Sequence, residues 1–469
     1  MSMVTKTGIW KQRLGYGVAD FACNLIWQMI TLYLMFFYTD VMGLQVLAVS
    51  ALLLVTRIVD GVADAIMGII IDKTRTRWGK SRPYFLFGAI PFGILGILTF
   101  YVPDIGPVGK LIYAYITYMG LSLAYTMVNI PMASILPSLT RDGQERTVLA
   151  TTRIIFSFIG ATAVSVLTMP LVRMLGNGSQ AHGFFWTMVI FSIVGMMLFF
   201  VTFKNVEEKV KLRQEKVTVA QTFSALKGNT PWYIFAINII FMFGGMFFHQ
   251  GSLIYYFTYY VNRPDLIGLI AGIGSLVPII GTFITPWLAR HLYKRNLFQI
   301  ASAITLAGML IMLISGTHIF GLIVGAVISA LGNGVRMAIY FSMQADPVDY
   351  GEWKSGISAA GFISSLNGFI GKVALALAGA VSGVFLTWGN YVPNQTQGAS
   401  ALFAIQLNYL IIPLILTIVS MIIMYFYRLD HIFPQIRNDI QERNQALNAS
   451  HGKDTPDVSK NQDTLPQSV

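Results

Sequence analysis

Charge is what this sequence has least of. Only 11% of its 469 residues are Asp, Glu, Lys or Arg, less than half the roughly 25% of an ordinary soluble domain, so a water-facing surface for a chain of this length cannot be covered. Cysteine is nearly absent. The one residue, Cys23, forms no intramolecular bridge, which excludes a disulfide scaffold, and its apolar setting points to packing. The six histidines are scattered, and no HExxH, nucleophile elbow or P-loop occurs. Those gaps disfavour an ATP-driven pump, and no enzyme activity is expected. What is abundant is apolar: 55% of residues are hydrophobic and the mean hydropathy is +0.63, which excludes disorder and implies a helical membrane protein.

Apolar runs of the roughly 18 residues needed to cross hydrocarbon recur at 18–38, 44–71, 84–103, 111–137, 148–172 and 183–203. Six more follow a polar break, at 232–261, 266–289, 297–315, 319–345, 356–387 and 401–427. The predicted fold is therefore an all-α polytopic membrane protein of twelve transmembrane helices in two six-helix bundles. The expected domains are a first bundle at 1–205, a middle loop at 206–230, a second bundle at 231–428 and a disordered tail at 429–469. No cleavable signal peptide is expected before the first span.

The net charge of +11 and the pI near 9.5 invite a nucleic-acid reading, but the placement of the charges decides otherwise. If the N-terminus is cytoplasmic, inner segments hold 25 Lys or Arg, outer loops hold 3, and Arg57, Arg153, Arg336 and Lys372 fall inside spans. The positive-inside rule then puts both termini in the cytoplasm of a multi-pass cell-membrane protein. Its surroundings are the lipid bilayer, and no nucleic-acid partner is expected.

Ionisable groups inside a span cost on the order of 2.5–3.5 kcal/mol each and face a cavity or a partner. The second span reads TRIVDGVADAIMGIIIDK, with Arg57, Asp60 and Asp64 at i, i+3 and i+7 on one face. Two carboxylates a turn apart form a cation site, for Na⁺ through hard oxygen ligands or for a proton if repulsion raises one pKa. Arg57 is a resident counter-charge. A structural Arg–Asp pair joining helices is the plainer alternative. Lys372, midway through the eleventh span, has no acid in its own helix and is expected to pair with these carboxylates, coupling ion binding to rearrangement.

Other polar groups converge at similar depth. Asn24, Thr126, Asn129 and Arg153 offer the donors that hydroxyl-rich ligands need, and Trp27 and Tyr125 offer aromatic faces for the apolar side of a sugar ring. At the inner loops, Asp72 and Arg77 of the first half face the acidic Asp346, Asp349 and Glu352 of the second. Such opposed charge suggests an inner gate whose salt bridges break as access alternates, with solvated topology charges as the alternative.

YLMFFYTDVMGL, TRIVDGVADAIMG, TRTRWGKSRPY, VNIPMASILPSLT, DPVDYGEWKSG and YVPNQTQ occur in order across almost the whole chain. Through them the sequence resembles the glycoside-pentoside-hexuronide cation symporters, the family of melibiose permease, within the major facilitator superfamily. NIPMASILPSLT and DFACNL are most similar to carriers of β-xylosides and isoprimeverose, with β-glucuronide carriers nearby. The resemblance implies a symporter importing a glycoside with H⁺ or Na⁺ by alternating access. Asp60 and Asp64 match the cation pair, Thr126 a nearby ligand, Lys372 the charged residue of the eleventh span and Arg153 the sugar-contacting arginine. Asn24 and Asn129 stand where the melibiose carrier has aspartates, and Ala133 where it has tryptophan, so melibiose itself is not the expected substrate.

The stretch at 356–361 departs from the family's charged pattern, and Arg336 is unusual in the tenth span. It is read as a substrate-binding residue pairing with a substrate carboxylate, or as the partner of an inner-loop acid such as Asp346. No cofactor is expected beyond the coupling cation, and the chain is expected to act as a monomer. The competing reading is a non-transporting membrane sensor or lipid-handling protein on the same fold.

Overall fold

A computed structural model describes residues 6–140, 143–208, 226–355 and 360–430, together with 432, 433, 435, 436, 438, 439 and 442. Most of the expected middle loop and tail, and positions 356–359 of the stretch that departs from the family pattern, lie outside them. Among the described residues, twelve helices are long and apolar enough to span a membrane. In the first half these are α1 (Lys6–Phe36), α2 (Val46–Lys73), α3 (Arg82–Thr99), α4 (Pro107–Ser134), α5 (Gly143–Leu175) and α6 (Gln180–Asn205). The second half comprises α7 (Thr230–Tyr255), α8 (Ile267–Leu288), α9 (Lys294–Ser315), α10 (Ile319–Met343), α11 (Ala360–Trp388) and α12 (Ala399–Tyr425). With an even number of spans, α1 begins and α12 ends on the same face, here the terminal face; the opposite one is the distal face.

Each helix is two-sided in the way lipid demands. On α2, Ile58, Val62, Ile66 and Ile70 are exposed at every fourth position, whereas Thr56, Arg57 and Asp60 on the other side are buried. That stripe gives the hydrocarbon an apolar surface and leaves the polar groups to the interior. α1 packs against α5 and α6, and α7 against α11 and α12. The halves meet along α1 with α7, α2 with α11 and α5 with α8.

Small residues set how near the backbones come. A Cβ on Gly325 of α10 would sit 2.6 Å from the carbonyl oxygen of Gly308 on α9, so these helices touch through their main chains. At the α2–α11 seam a Cβ on Gly61 would come within 2.5 Å of the Phe369 ring. The bare backbone there lets α11 approach the turn that carries Asp60 and Asp64.

Two features differ from the sequence expectation. The first span runs past residue 38 into a π-helical turn, Phe37–Val41, and α7 ends in a matching turn, Tyr256–Tyr260. The second is a short helix, Asp346–Ser355, in what reads as an inner loop.

Candidate functional site

The helical spacing on α2 delivers its three charges to one point between the halves. Arg57 lies 3.3 Å from Asp60 and donates to the Tyr118 hydroxyl of α4 at 2.9 Å. The Thr126 hydroxyl, also on α4, lies 3.0 Å from Asp60 and 2.9 Å from Asp64. Lys372 crosses from α11 to meet both carboxylates, at 3.1 Å from Asp60 and in a shorter contact with Asp64. The cluster thus joins two negative and two positive groups, and the ammonium sits between the two carboxylates. Asp60 is fully buried, so its oxygens need these partners.

Arg153 of α5 is paired with Asp20 of α1 at 2.9 Å and reaches the Tyr16 hydroxyl at 3.5 Å. Asn24, one turn beyond Asp20, donates to Ser157 at 2.8 Å and to the Asp20 carbonyl at 2.9 Å. Asn129 is half-buried and makes no hydrogen bond among the described residues. Trp27 and Tyr125 stack on each other with centroids 4.3 Å apart, and the Arg57 guanidinium lies 4.6 Å from the Trp27 centroid. One face of each ring is thus turned to the other, and the pair connects the α1 wall to the ion cluster.

Arg336 stands apart from that group. It lines a cavity between the halves with Gln28 of α1, Ser165 of α5, His249 and Gln250 of α7, and Asn333. Its partners are the Asn333 side-chain oxygen at 2.8 Å and the Thr417 hydroxyl at 3.4 Å. Among the described residues Arg336 makes no ion pair, and Asp346 binds Lys294 at 2.6 Å.

Among the described residues, Arg77 pairs with none of the acids Asp346, Asp349 and Glu352. Asp346 is engaged within its own half, and Arg77 lies over Trp78, 4.4 Å from the ring centroid. Asp349 and Glu352 sit on the short helix Asp346–Ser355, and the Asp72 side chain lies outside the described residues. Instead, the backbone of the inner loop at Lys80, Ser81 and Arg82 donates to the Glu208 carboxylate, at 2.7 Å from Ser81. Among the described residues, no hydrogen bond or ion pair joins the halves at the terminal face.

The distal face is closed by groups that sequence reasoning missed. Asp40, 6% exposed, accepts hydrogen bonds from Thr39 and Tyr391 at 2.5 Å each and a shorter one from Tyr259. Its carbonyl accepts from the Asn394 amide at 2.7 Å, and the hydroxyls of Thr39 and Tyr255 lie 2.8 Å apart. Asp20 and His249 were the other omissions. Asp20 was legible as an acid inside a span, and His249 as a lone imidazole in the apolar run of α7. The halves are joined distally through Asp40, Tyr259 and Tyr391, and the ion cluster lies deeper between them.

A profile of the MFS/sugar transport protein family matches residues 15–431. The isoprimeverose transporter of Lactiplantibacillus pentosus is 40% identical over 447 residues, covering 94% of this chain and 93% of that one. The glucuronide carrier protein homolog of Escherichia coli (strain K12) is 30% identical, covering 93% and 96%. Among solved structures, the nucleoside transporter NupG superposes with a TM-score of 0.63 at 15% identity, covering 89% of this chain and 100% of that one. A D-xylose-proton symporter gives 0.63 at 13%, covering 89% and 97%. At such identities the structures speak to the fold alone.

Proposed function

The chain belongs to the MFS/sugar transport protein family, of the glycoside-pentoside-hexuronide cation symporter type, and from that premise we propose that it imports a glycoside together with H⁺ or Na⁺ by alternating access. It is a multi-pass membrane protein and a cation-coupled sugar transporter, not an enzyme. The substrate class proposed is a xyloside such as isoprimeverose, a β-glucoside or a glucuronide. Relatives named an isoprimeverose transporter and a glucuronide carrier homolog support that range. The excess of Lys and Arg on the terminal side supports a cytoplasmic placement of that face.

One observation carries the coupling scheme: Lys372 of the second half rests on Asp60 and Asp64 of the first. Breaking a buried ion pair on one side alone costs about 3–5 kcal/mol. The carboxylates therefore need Lys372 or an arriving cation at every stage. A cation that binds between Asp60, Asp64 and the Thr126 hydroxyl displaces the ammonium and releases the contact between α2 and α11. Ion occupancy thereby changes how strongly the halves are held together. The glycoside occupies the space between them, contacting Asn24, Asn129 and Arg153, the last exchanging Asp20 for substrate hydroxyls. For an uncharged glycoside carried with one cation, the membrane potential then adds about 2.3 kcal/mol per net charge per 100 mV to accumulation.

The test is uptake of labelled xylosides, glucosides and glucuronides into proteoliposomes, with Na⁺ and pH gradients imposed separately. Accumulation driven by one gradient identifies the ion. Saccharide flux with no accompanying ion flow would refute the coupling scheme.

A further inference from the structure

Three of the cations inside the helical spans have a carboxylate partner: Arg57 with Asp60, Arg153 with Asp20, and Lys372 with Asp60 and Asp64. Arg336 has none among the described residues. It is 2% exposed, bound only to two neutral oxygens, and its Nε has no partner. It also cannot reach water by extending along its helix. Seven residues separate it from Met343, the end of α10 on the terminal face, a depth of about 10 Å at 1.5 Å per residue. Helical side chains lean toward the N-terminus, which on α10 means away from that end, and the contact with Asn333 one turn earlier follows this direction.

Among the described residues, no carboxylate lines the cavity beside Arg336. Its polar walls are amides, hydroxyls and His249, whose Nδ1 lies 2.8 Å from the Tyr409 carbonyl. That contact puts the ring proton on Nδ1 and leaves Nε2 as an acceptor. The ion cluster on α2 balances its own charges, so one full positive charge remains beside a cavity of neutral hydrogen-bonding groups. A guanidinium fork is shaped for a carboxylate.

We propose that Arg336, with Asn333 and His249, forms an anion subsite, and that the transported glycoside bears a single carboxylate, as in a uronic-acid glycoside. The inference rests on the transport reading above. The carboxylate pairs with Arg336 while sugar hydroxyls meet His249 Nε2, Gln28 and Gln250. One such anion moving with one monovalent cation carries no net charge, so its uptake is indifferent to membrane potential.

The experiment uses the full chain in proteoliposomes, comparing methyl β-glucuronide with methyl β-glucoside, which differ only at C6, alongside neutral xylosides. The glucuronide should be taken up with a KM at least tenfold lower than the glucoside, and a K⁺ diffusion potential set with valinomycin should leave its accumulation unchanged. Arg336→Gln should raise the glucuronide KM tens-fold while glucoside uptake stays within about threefold. Arg336→Lys, which keeps the charge, should retain part of the preference and guards against a folding defect. Uptake of neutral glycosides with exclusion of the glucuronide overturns the subsite and leaves the transport reading standing, as does an equal loss of both substrates in Arg336→Gln. Absence of cation-linked flux for every saccharide overturns both.

Discussion

Asp40 and Tyr259 occupy the same place in two equivalent turns and hydrogen-bond to each other across the halves. Each is the fourth residue of the π-helical turn that ends the first helix of its half, Phe37–Val41 and Tyr256–Tyr260. The turns close alike, Met42 donating to Phe37 at 2.8 Å and Val261 to Tyr256 at 2.9 Å. The pseudo-symmetry of the bundles thus sets a carboxylate opposite a phenol where the distal ends of α1 and α7 converge.

Asp40→Asn should loosen that closure. A hydrogen bond to a charged group contributes about 1.5–3 kcal/mol, so losing the charge should shift the balance toward a distally open form by tenfold or more. Spin labels at Ile105→Cys and Val392→Cys in a Cys23→Ser background report the distal separation. A longer-distance population should grow, and an unchanged distribution counts against Asp40 as the distal lock.

Lys372→Gln leaves Asp60 and Asp64 without their inter-half cation and should lower stability by about 3–5 kcal/mol. Combining it with Asp64→Asn should restore much of that loss without restoring coupling. Thermal unfolding of the purified variants reads the first effect and gradient-driven uptake the second. Additive destabilisation in the double variant would contradict the pairing.

Asp60→Asn should abolish concentrative uptake while some sugar exchange survives. Downhill exchange needs only the sugar site, whereas accumulation needs the ion. Undiminished accumulation in this variant would remove Asp60 from the coupling site.

Asp20→Asn frees the Arg153 guanidinium from its 2.9 Å partner. The expected result is a change in sugar KM of about tenfold, consistent with the worth of one charged hydrogen bond, and an unaltered dependence on the coupling ion. A shift in ion dependence at constant sugar KM would place Asp20 in the cation pathway instead.

The helices were legible because hydrocarbon imposes both a length and a composition on every span. The α2 triad was legible because helical spacing alone puts Arg57, Asp60 and Asp64 on one side, and Lys372, without an acid of its own, pointed at them. What escaped detection was tertiary. Asp40 sits two residues past the expected end of the first span, since nothing in an aromatic run announces an extra π turn. The mutual stacking of Trp27 and Tyr125, and the preference of Asp346 for Lys294 over Arg336, depend on which helices lie side by side, and periodicity does not encode that.

The backbone contact of Gly308 with Gly325 leaves no side-chain layer for α9 and α10 to slide on. Those helices must travel as one plank, carrying Arg336 along. Any relative movement of the halves therefore falls to the contacts between them, α1 with α7, α2 with α11 and α5 with α8.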